Sequence, residues 1–118
     1  MGYDPHNAKE QPRLPPDTIL NGVIINITDG QVKDFIKSEK WEGDLQNPAI
    51  DITTEVLHQN NKYTFSQVMT YKEEQGTTVY APNSNMGRYK KKYGKLPEVG
   101  DQVKVITDKD GFLKLKLD

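Results

Sequence analysis

Aromatic and basic side chains are the residues of this sequence whose chemistry points most directly to a ligand. Aromatic rings stack on nucleobases, and lysines neutralise phosphates with release of counterions, so this combination favours a single-stranded nucleic acid as partner. The candidate nucleic-acid-binding residues are Lys37, Lys40, Trp41, Lys62, Tyr63, Phe65, Tyr71, Lys72, Phe112, Lys114 and Lys116.

Two of these candidates allow two interpretations each. Trp41, the only tryptophan, stands between Lys40 and Glu42 in a polar stretch, where its ring either covers the core or offers a stacking platform. Phe112 begins a row that continues with Lys114 and Lys116 on one side of a strand. That row is either a strip that contacts a nucleic-acid backbone or a solvated strand face.

The densest positive charge lies elsewhere, between residues 83 and 97, which hold five basic residues and no acidic one. Met86, Tyr89 and Tyr93 recur at three- and four-residue steps there, which predicts a helix with one packing face. Asn83 or Ser84 can cap its start, and Gly94 can end it. Lys90, Lys91 and Lys92 on this helix form an alternative basic patch or simply a solvated face.

The elements that must position these residues are mostly strands. Hydrophobic and β-branched patterns predict strands over residues 18–28, 49–57 and 62–72, with a short extension over 77–81. A bulge or bend is expected at Gly22, and Asp29 and Gly30 predict a turn. After it, residues 31–36 either continue the first strand or form a short second one.

The alternation in residues 62–72 does not decide which face is buried. Tyr63, Phe65 and Tyr71 share a face that either fills a core or presents rings to a ligand. After the helix, strands are predicted over 102–107 and 112–117, and the intervening residues 108–111 form a hairpin turn.

Composition narrows the class of protein. The 118 residues suit one domain, and the net charge of −1 gives no overall attraction to nucleic acid, so any attraction must come from local charge. The absence of cysteine excludes disulfides and thiolate chemistry. With neither a signal-peptide profile nor a membrane-spanning apolar run, a cytoplasmic protein without membrane contact is expected.

The first seventeen residues differ in composition from the remainder. They hold four of the seven prolines and show neither a strand nor a helix period, which predicts a flexible arm over 1–17 and one domain over 18–118. The arm could dock on a protein partner. No metal or cofactor motif appears: His6 is expected to be a solvated tail residue and His58 an exposed turn residue.

Three strands, a helix and a final strand pair form the element order of an OB-fold, a five-stranded Greek-key barrel in a mostly β class. The stretch Ser84-Asn-Met-Gly-Arg-Tyr-Lys-Lys-Lys-Tyr-Gly94, with residues 99–105 and 111–114, resembles small OB-fold single-stranded-DNA-binding proteins of archaea, their viruses and phages. The resemblance covers residues 84–117 by pattern. It implies one capping α-helix between strands 3 and 4.

The resemblance also implies where a ligand lies. Single-stranded nucleic acid, with DNA favoured over RNA, is expected across the second and third strands, flanked by the Trp41 loop and by residues 108–111. Asp51 and Glu55, which point outward in the second strand, depart from a basic binding face. The alternative is an OB-fold protein-interaction or assembly module. An enzyme is the weakest hypothesis, because the sequence has no nucleophile or phosphate-binding motif.

Overall fold

The computed structural model describes residues 2–7, 13–37 and 44–118. Within these ranges the chain is mostly β. Its elements are β1 (Ile19–Gln31), α1 (Val32–Phe35), β2 (Pro48–His58), β3 (Asn61–Thr70), β4 (Lys72–Glu74), β5 (Thr77–Val79), α2 (Asn85–Tyr93), β6 (Gln102–Thr107) and β7 (Leu113–Leu115). Neither helix in the described ranges has the length and apolar character that crossing a membrane requires.

Five of the strands form one antiparallel sheet in the order β3-β2-β1-β6-β7. The long strand β1 pairs with both β2 and β6, so that Gly22 lies opposite Val56 on one side and Val103 on the other. The two end strands meet where the backbone N–H of Leu115 donates to the side-chain oxygen of Gln67 at 3.2 Å. The sheet is therefore nearly closed and barrel-like.

Two features bend β1 so that the sheet can curl. At Gly22 a Cβ atom would lie 2.8 Å from a methyl of Val105 and 3.0 Å from that of Thr54, so only glycine fits without a shift of its neighbours. A β-bulge follows between Ile24 and Asn26. The bend predicted at Gly22 thus combines a close approach at the glycine with a bulge just after it.

The end of β1 differs from the prediction. Asp29 and Gly30 belong to the strand instead of a turn, and the residues after Gln31 form α1 instead of a strand. The N–H of Gln31 donates to the Asp34 carboxylate at 2.9 Å, and the N–H of Val32 donates to a loop carbonyl at 3.0 Å. Backbone groups of the helical turn are satisfied locally and by this loop, which sequence periodicity does not reveal.

The core combines the inner faces of the strands with α2. Ile24, Ile52 and Val105 are fully buried, and Met86 and Tyr89 of α2 belong to the same cluster. As the capping residues predicted, α2 begins after Ser84, whose hydroxyl accepts from the Gly87 N–H at 3.2 Å, and it ends at a left-handed Gly94.

Two tyrosine hydroxyls fix α2 to the rest of the barrel. The Tyr89 hydroxyl donates to Asp101 at 2.6 Å, and Lys95 pairs with the other oxygen of that carboxylate at 2.9 Å. Burial, followed by the bond to Asp101, raises the pKa of Tyr89. The Tyr93 hydroxyl donates to the Lys116 carbonyl at 2.8 Å. The partners of the two tyrosines lie 12 and 23 positions further along the chain, so both bonds hold the helix by tertiary contacts.

The last residues of the predicted arm contact the sheet. Leu14 is only 7% exposed, and the Thr107 hydroxyl donates to the Pro15 carbonyl at 2.7 Å. The N–H of Thr18 donates to the same hydroxyl at 2.9 Å. The division of the chain at residue 17 stays a prediction, but residues 14–18 lie against the β6–β7 end of the barrel.

Candidate functional site

A groove of about 950 Å³ lies at the end of the barrel where β6 turns into β7. Three segments that are distant in sequence form it: residues 13–16, the first half of β3, and the β6–β7 hairpin. We call it the hairpin groove. Its lining residues are Arg13, Leu14, Pro16, Tyr63, Thr64, Phe65, Lys109, Asp110, Gly111, Phe112 and Leu113. Three of the predicted aromatic residues, Tyr63, Phe65 and Phe112, are thus brought together.

The β6–β7 hairpin holds Phe112 in place by local hydrogen bonds. The Asp108 carboxylate accepts from the N–H of Asp110 at 2.8 Å and from the N–H of Phe112 at 2.9 Å. The bond from Phe112 is the main reason why the pKa of Asp108 is lowered. These bonds fix the backbone that carries the Phe112 ring, and the ring lines the groove while 71% exposed. The predicted hairpin at residues 108–111 is confirmed by these contacts.

Tyr63 and Phe65 reach the groove from the inner face of β3. They lie opposite Val56 and Thr54 of β2, both fully buried, and share their face with Met69. Both rings are half-buried and pack against the core cluster. The question that the sequence left open is thereby answered: this aromatic row faces inward, and two of its rings also line the groove.

Residues 13–16 form the N-terminal wall of the groove, and they can lie against the hairpin because residue 111 is glycine. Gly111 has a φ of +84°, in the left-handed region, and a Cβ there would lie 3.0 Å from the Leu14 carbonyl oxygen. A larger residue would push residues 13–16 away from the hairpin. The wall and the hairpin therefore form one structural unit.

The groove carries few charges. Arg13 and Lys109 supply positive charge, Asp110 supplies one negative charge, and the remaining lining side chains are uncharged. Arg13, Leu14 and Lys109 were not among the binding residues predicted from the sequence. Leu14 is the only leucine, isoleucine or valine among residues 1–17, which was a usable signal for packing, and Lys109 lies inside the predicted hairpin.

The predicted lysines do not gather in one place. Lys62 and Lys114 are exposed on the outer face of the sheet, while Lys72 is exposed in β4 and Lys37 follows α1. Lys116 is half-buried after β7. Two other predicted residues, Lys40 and Trp41, lie outside the described residues.

Tyr71 lies away from the groove, between β3 and β4. Its hydroxyl donates to the Asp29 carboxylate at 2.8 Å. Burial, then the bond to Asp29, raises the pKa of Tyr71 to about 12. Its polar end is therefore engaged within the chain, and its ring packs against the core.

The outer face of β2 and β3 is polar. Asp51, Thr53 and Glu55 point outward from β2, and Thr53 and Ser66 oxygens lie 3.2 Å apart. Partial burial raises the pKa of Asp51, and one of its oxygens has no hydrogen-bond partner among the described residues. A phosphate on this outer face would be repelled by Asp51 and Glu55, and Lys62 is the basic residue at the edge of the face.

Among the described residues, no group of three or more histidine, aspartate or glutamate side chains converges as a metal site would. Comparisons of the chain with protein-family models, with curated proteins and with solved structures gave no match. The geometry of the hairpin groove is consequently the basis for a functional assignment.

Proposed function

We propose that this chain is a non-catalytic OB-fold module that binds single-stranded nucleic acid, DNA in preference to RNA, in the hairpin groove. The fold part rests on strand order. In an OB-fold, strand 1 lies between strands 2 and 4, and strands 3 and 5 meet to close the barrel. The order β3-β2-β1-β6-β7, with α2 before β6, corresponds to that arrangement if β4 and β5 are an insertion.

The observation that carries the functional part is the convergence of three rings on one groove. Phe112 is exposed for contact, and Tyr63 and Phe65 are held by the core beneath them. A ring fixed before binding loses little conformational entropy when a base stacks on it. Stacking contributes roughly 1–3 kcal/mol per base and tolerates any base. The groove therefore suits unpaired bases, which a duplex would keep stacked inside.

The phosphates of such a strand would meet Arg13 and Lys109 at the groove edge. Each phosphate neutralised on a single strand contributes about −0.7 to the slope of log K against log salt. Two cations predict a slope of about −1.4, which is shallow for a nucleic-acid-binding protein. Stacking, more than charge, should then supply the affinity.

An assembly module that docks through its N-terminal arm is the less supported alternative. Leu14 is buried against its own barrel, and Pro15 is bonded to Thr107 of the same chain. These residues are thus engaged within the molecule. Residues 2–7 are exposed and leave room for a partner without arguing for one.

Fluorescence anisotropy with a labelled oligothymidylate tests the proposal. The parent chain should bind, and Phe112→Ala should weaken binding by roughly 5- to 150-fold, equivalent to the loss of one stacked base. Val99→Ala is the matched control, because Val99 is also exposed and apolar but lies outside the groove. Equal affinity of Phe112→Ala and the control, or absence of binding by the parent chain, would refute the assignment.

A further inference from the structure

A second basic surface lies on α2, away from the hairpin groove. Arg88, Lys91 and Lys92 are spaced three and four residues apart, so they share one side of the helix. The buried Met86 and Tyr89 occupy the other side. With Leu117 and Asp118, the three basic residues line a hollow of about 410 Å³.

An acidic residue of the chain itself occupies part of this surface. The Asp118 carboxylate forms an ion pair with the Arg88 guanidinium, and the Asp118 backbone carbonyl accepts from the Lys92 ammonium at 2.9 Å. Leu117 is buried in the core next to it, and the Lys116 carbonyl accepts from the Tyr93 hydroxyl. Asp118 is therefore held on the basic surface by its neighbours as well as by its own charge.

The partners of Asp118 are the groups that bind phosphate elsewhere in proteins. A guanidinium donates in a planar fork that fits carboxylate and phosphate oxygens alike, and an ammonium binds either as a point charge. Lys91 lines the same hollow and has no ion-pair partner among the described residues. A larger, more highly charged anion than a carboxylate could contact all three cations.

We propose that the α2 surface is a phosphate-binding site in which Asp118 acts as an internal competitor. The ligand is an anion with two or more linked phosphates, supplied either by a free polyphosphate or by a nucleic-acid backbone. Displacing Asp118 releases a carboxylate to water while its basic partners gain phosphate oxygens. This site needs no aromatic ring, so it is independent of the hairpin groove.

Isothermal titration of the full chain with sodium tripolyphosphate tests this site at low ionic strength. Asp118→Asn removes the competing charge from an exposed position and should bind about two- to five-fold tighter than the parent. Lys91→Ala should bind about two- to five-fold more weakly. Lys62→Ala, which removes an exposed lysine from the sheet, is the matched control and should bind as the parent does.

A second titration distinguishes the two sources of phosphate. It uses oligothymidylate with Phe112→Ala, in which the groove is impaired, with and without Asp118→Asn. Tighter binding of both probes on loss of Asp118 indicates a nucleic-acid backbone, and tighter binding of tripolyphosphate alone indicates a free polyphosphate. Unchanged affinity of Asp118→Asn for both probes, or equal losses in Lys91→Ala and Lys62→Ala, would overturn the proposal.

Discussion

Successive residues of β3 point to opposite sides of the sheet, and the two sides differ in chemistry. Tyr63 and Phe65 point to the core and the hairpin groove, whereas Lys62 and Ser66 point to the outer face. The outer face adds the acidic Asp51 and Glu55 from β2. One strand thus separates a surface with rings and little charge from a polar surface with acids.

This difference shows why composition alone misplaces a binding site. A count of aromatic and basic residues along β3 suggests one mixed binding face. Because successive side chains of a strand point to opposite sides of the sheet, the aromatic and the basic residues lie on different faces. Asp51 and Glu55 would repel phosphates on the outer side. The rings become useful where the β6–β7 hairpin adds Phe112 to them.

The largest expected effect on stability comes from comparing substitutions on the two sides of β3. Phe65→Ala should lower the free energy of unfolding by about 2–3 kcal/mol, since a half-buried ring packed on the core leaves a cavity. Ser66→Ala, its neighbour on the exposed side, should change it by less than about 0.5 kcal/mol. Urea denaturation measures both. Similar values for the two variants would contradict the assignment of faces.

A smaller effect on stability is expected at the seam, where Gln67 of β3 bonds to Leu115 of β7. Gln67→Ala removes the acceptor of the Leu115 N–H and should lower the free energy of unfolding by about 1 kcal/mol. Amide hydrogen exchange at Leu115 should accelerate in this variant, while exchange at Val105, inside the β1–β6 ladder, should follow the global change only. Unchanged protection of Leu115 would show that the seam does not depend on this bond.

A still smaller effect on stability, which depends on pH, is expected from Asp51 on the outer face of β2. Burial raises the pKa of Asp51 above the ordinary value of 3.8, so ionisation of this carboxyl disfavours the folded state. Asp51→Asn should therefore be more stable than the parent at pH 7. This advantage should shrink as the pH falls through the raised pKa and vanish below 3.8, where the carboxyl is protonated in the folded and the unfolded chain alike. Thermal denaturation across pH 3–8 measures it, and an advantage independent of pH would contradict this cause.

The smallest change concerns charge at the groove. Lys109→Ala should reduce the slope of log K against log salt for oligothymidylate by about 0.7, because one phosphate contact is lost. Lys62→Ala on the outer face should leave that slope unchanged. If Lys62→Ala reduced the slope more than Lys109→Ala, the oligothymidylate would have to cross the outer face of β2 and β3.

The parts of the structure that the sequence predicted are those that depend on nearby residues. Ser84 and Gly94 bound α2, and Asp108 and Gly111 form the hairpin, by rules that act within a few positions. The side of β3 that is buried depends on β2 and β7 instead. Both sides of residues 62–72 carry residues suited to a strand, so the sequence pattern alone did not decide which side is buried.

The groove was only partly predictable for the same reason. Tyr63, Phe65 and Phe112 stood out by residue type, but their convergence depends on strands that lie about fifty residues apart in sequence. Leu14 joins them because its carbonyl lies against Gly111, and its neighbour Pro15 accepts a hydrogen bond from Thr107. No local pattern encodes either contact. The turn of α1 likewise depends on carbonyls of a distant loop.

The most direct test of the central claim is a nuclear magnetic resonance titration of the labelled chain with oligothymidylate. Binding in the hairpin groove predicts that the largest amide shift changes occur at Phe65, Lys109 and Phe112, with smaller changes at Thr53 and Ser66. Tripolyphosphate should leave the Phe65 and Phe112 signals unchanged, which separates stacking from charge. The largest changes at Thr53 and Ser66, with the groove signals unmoved, would contradict the account.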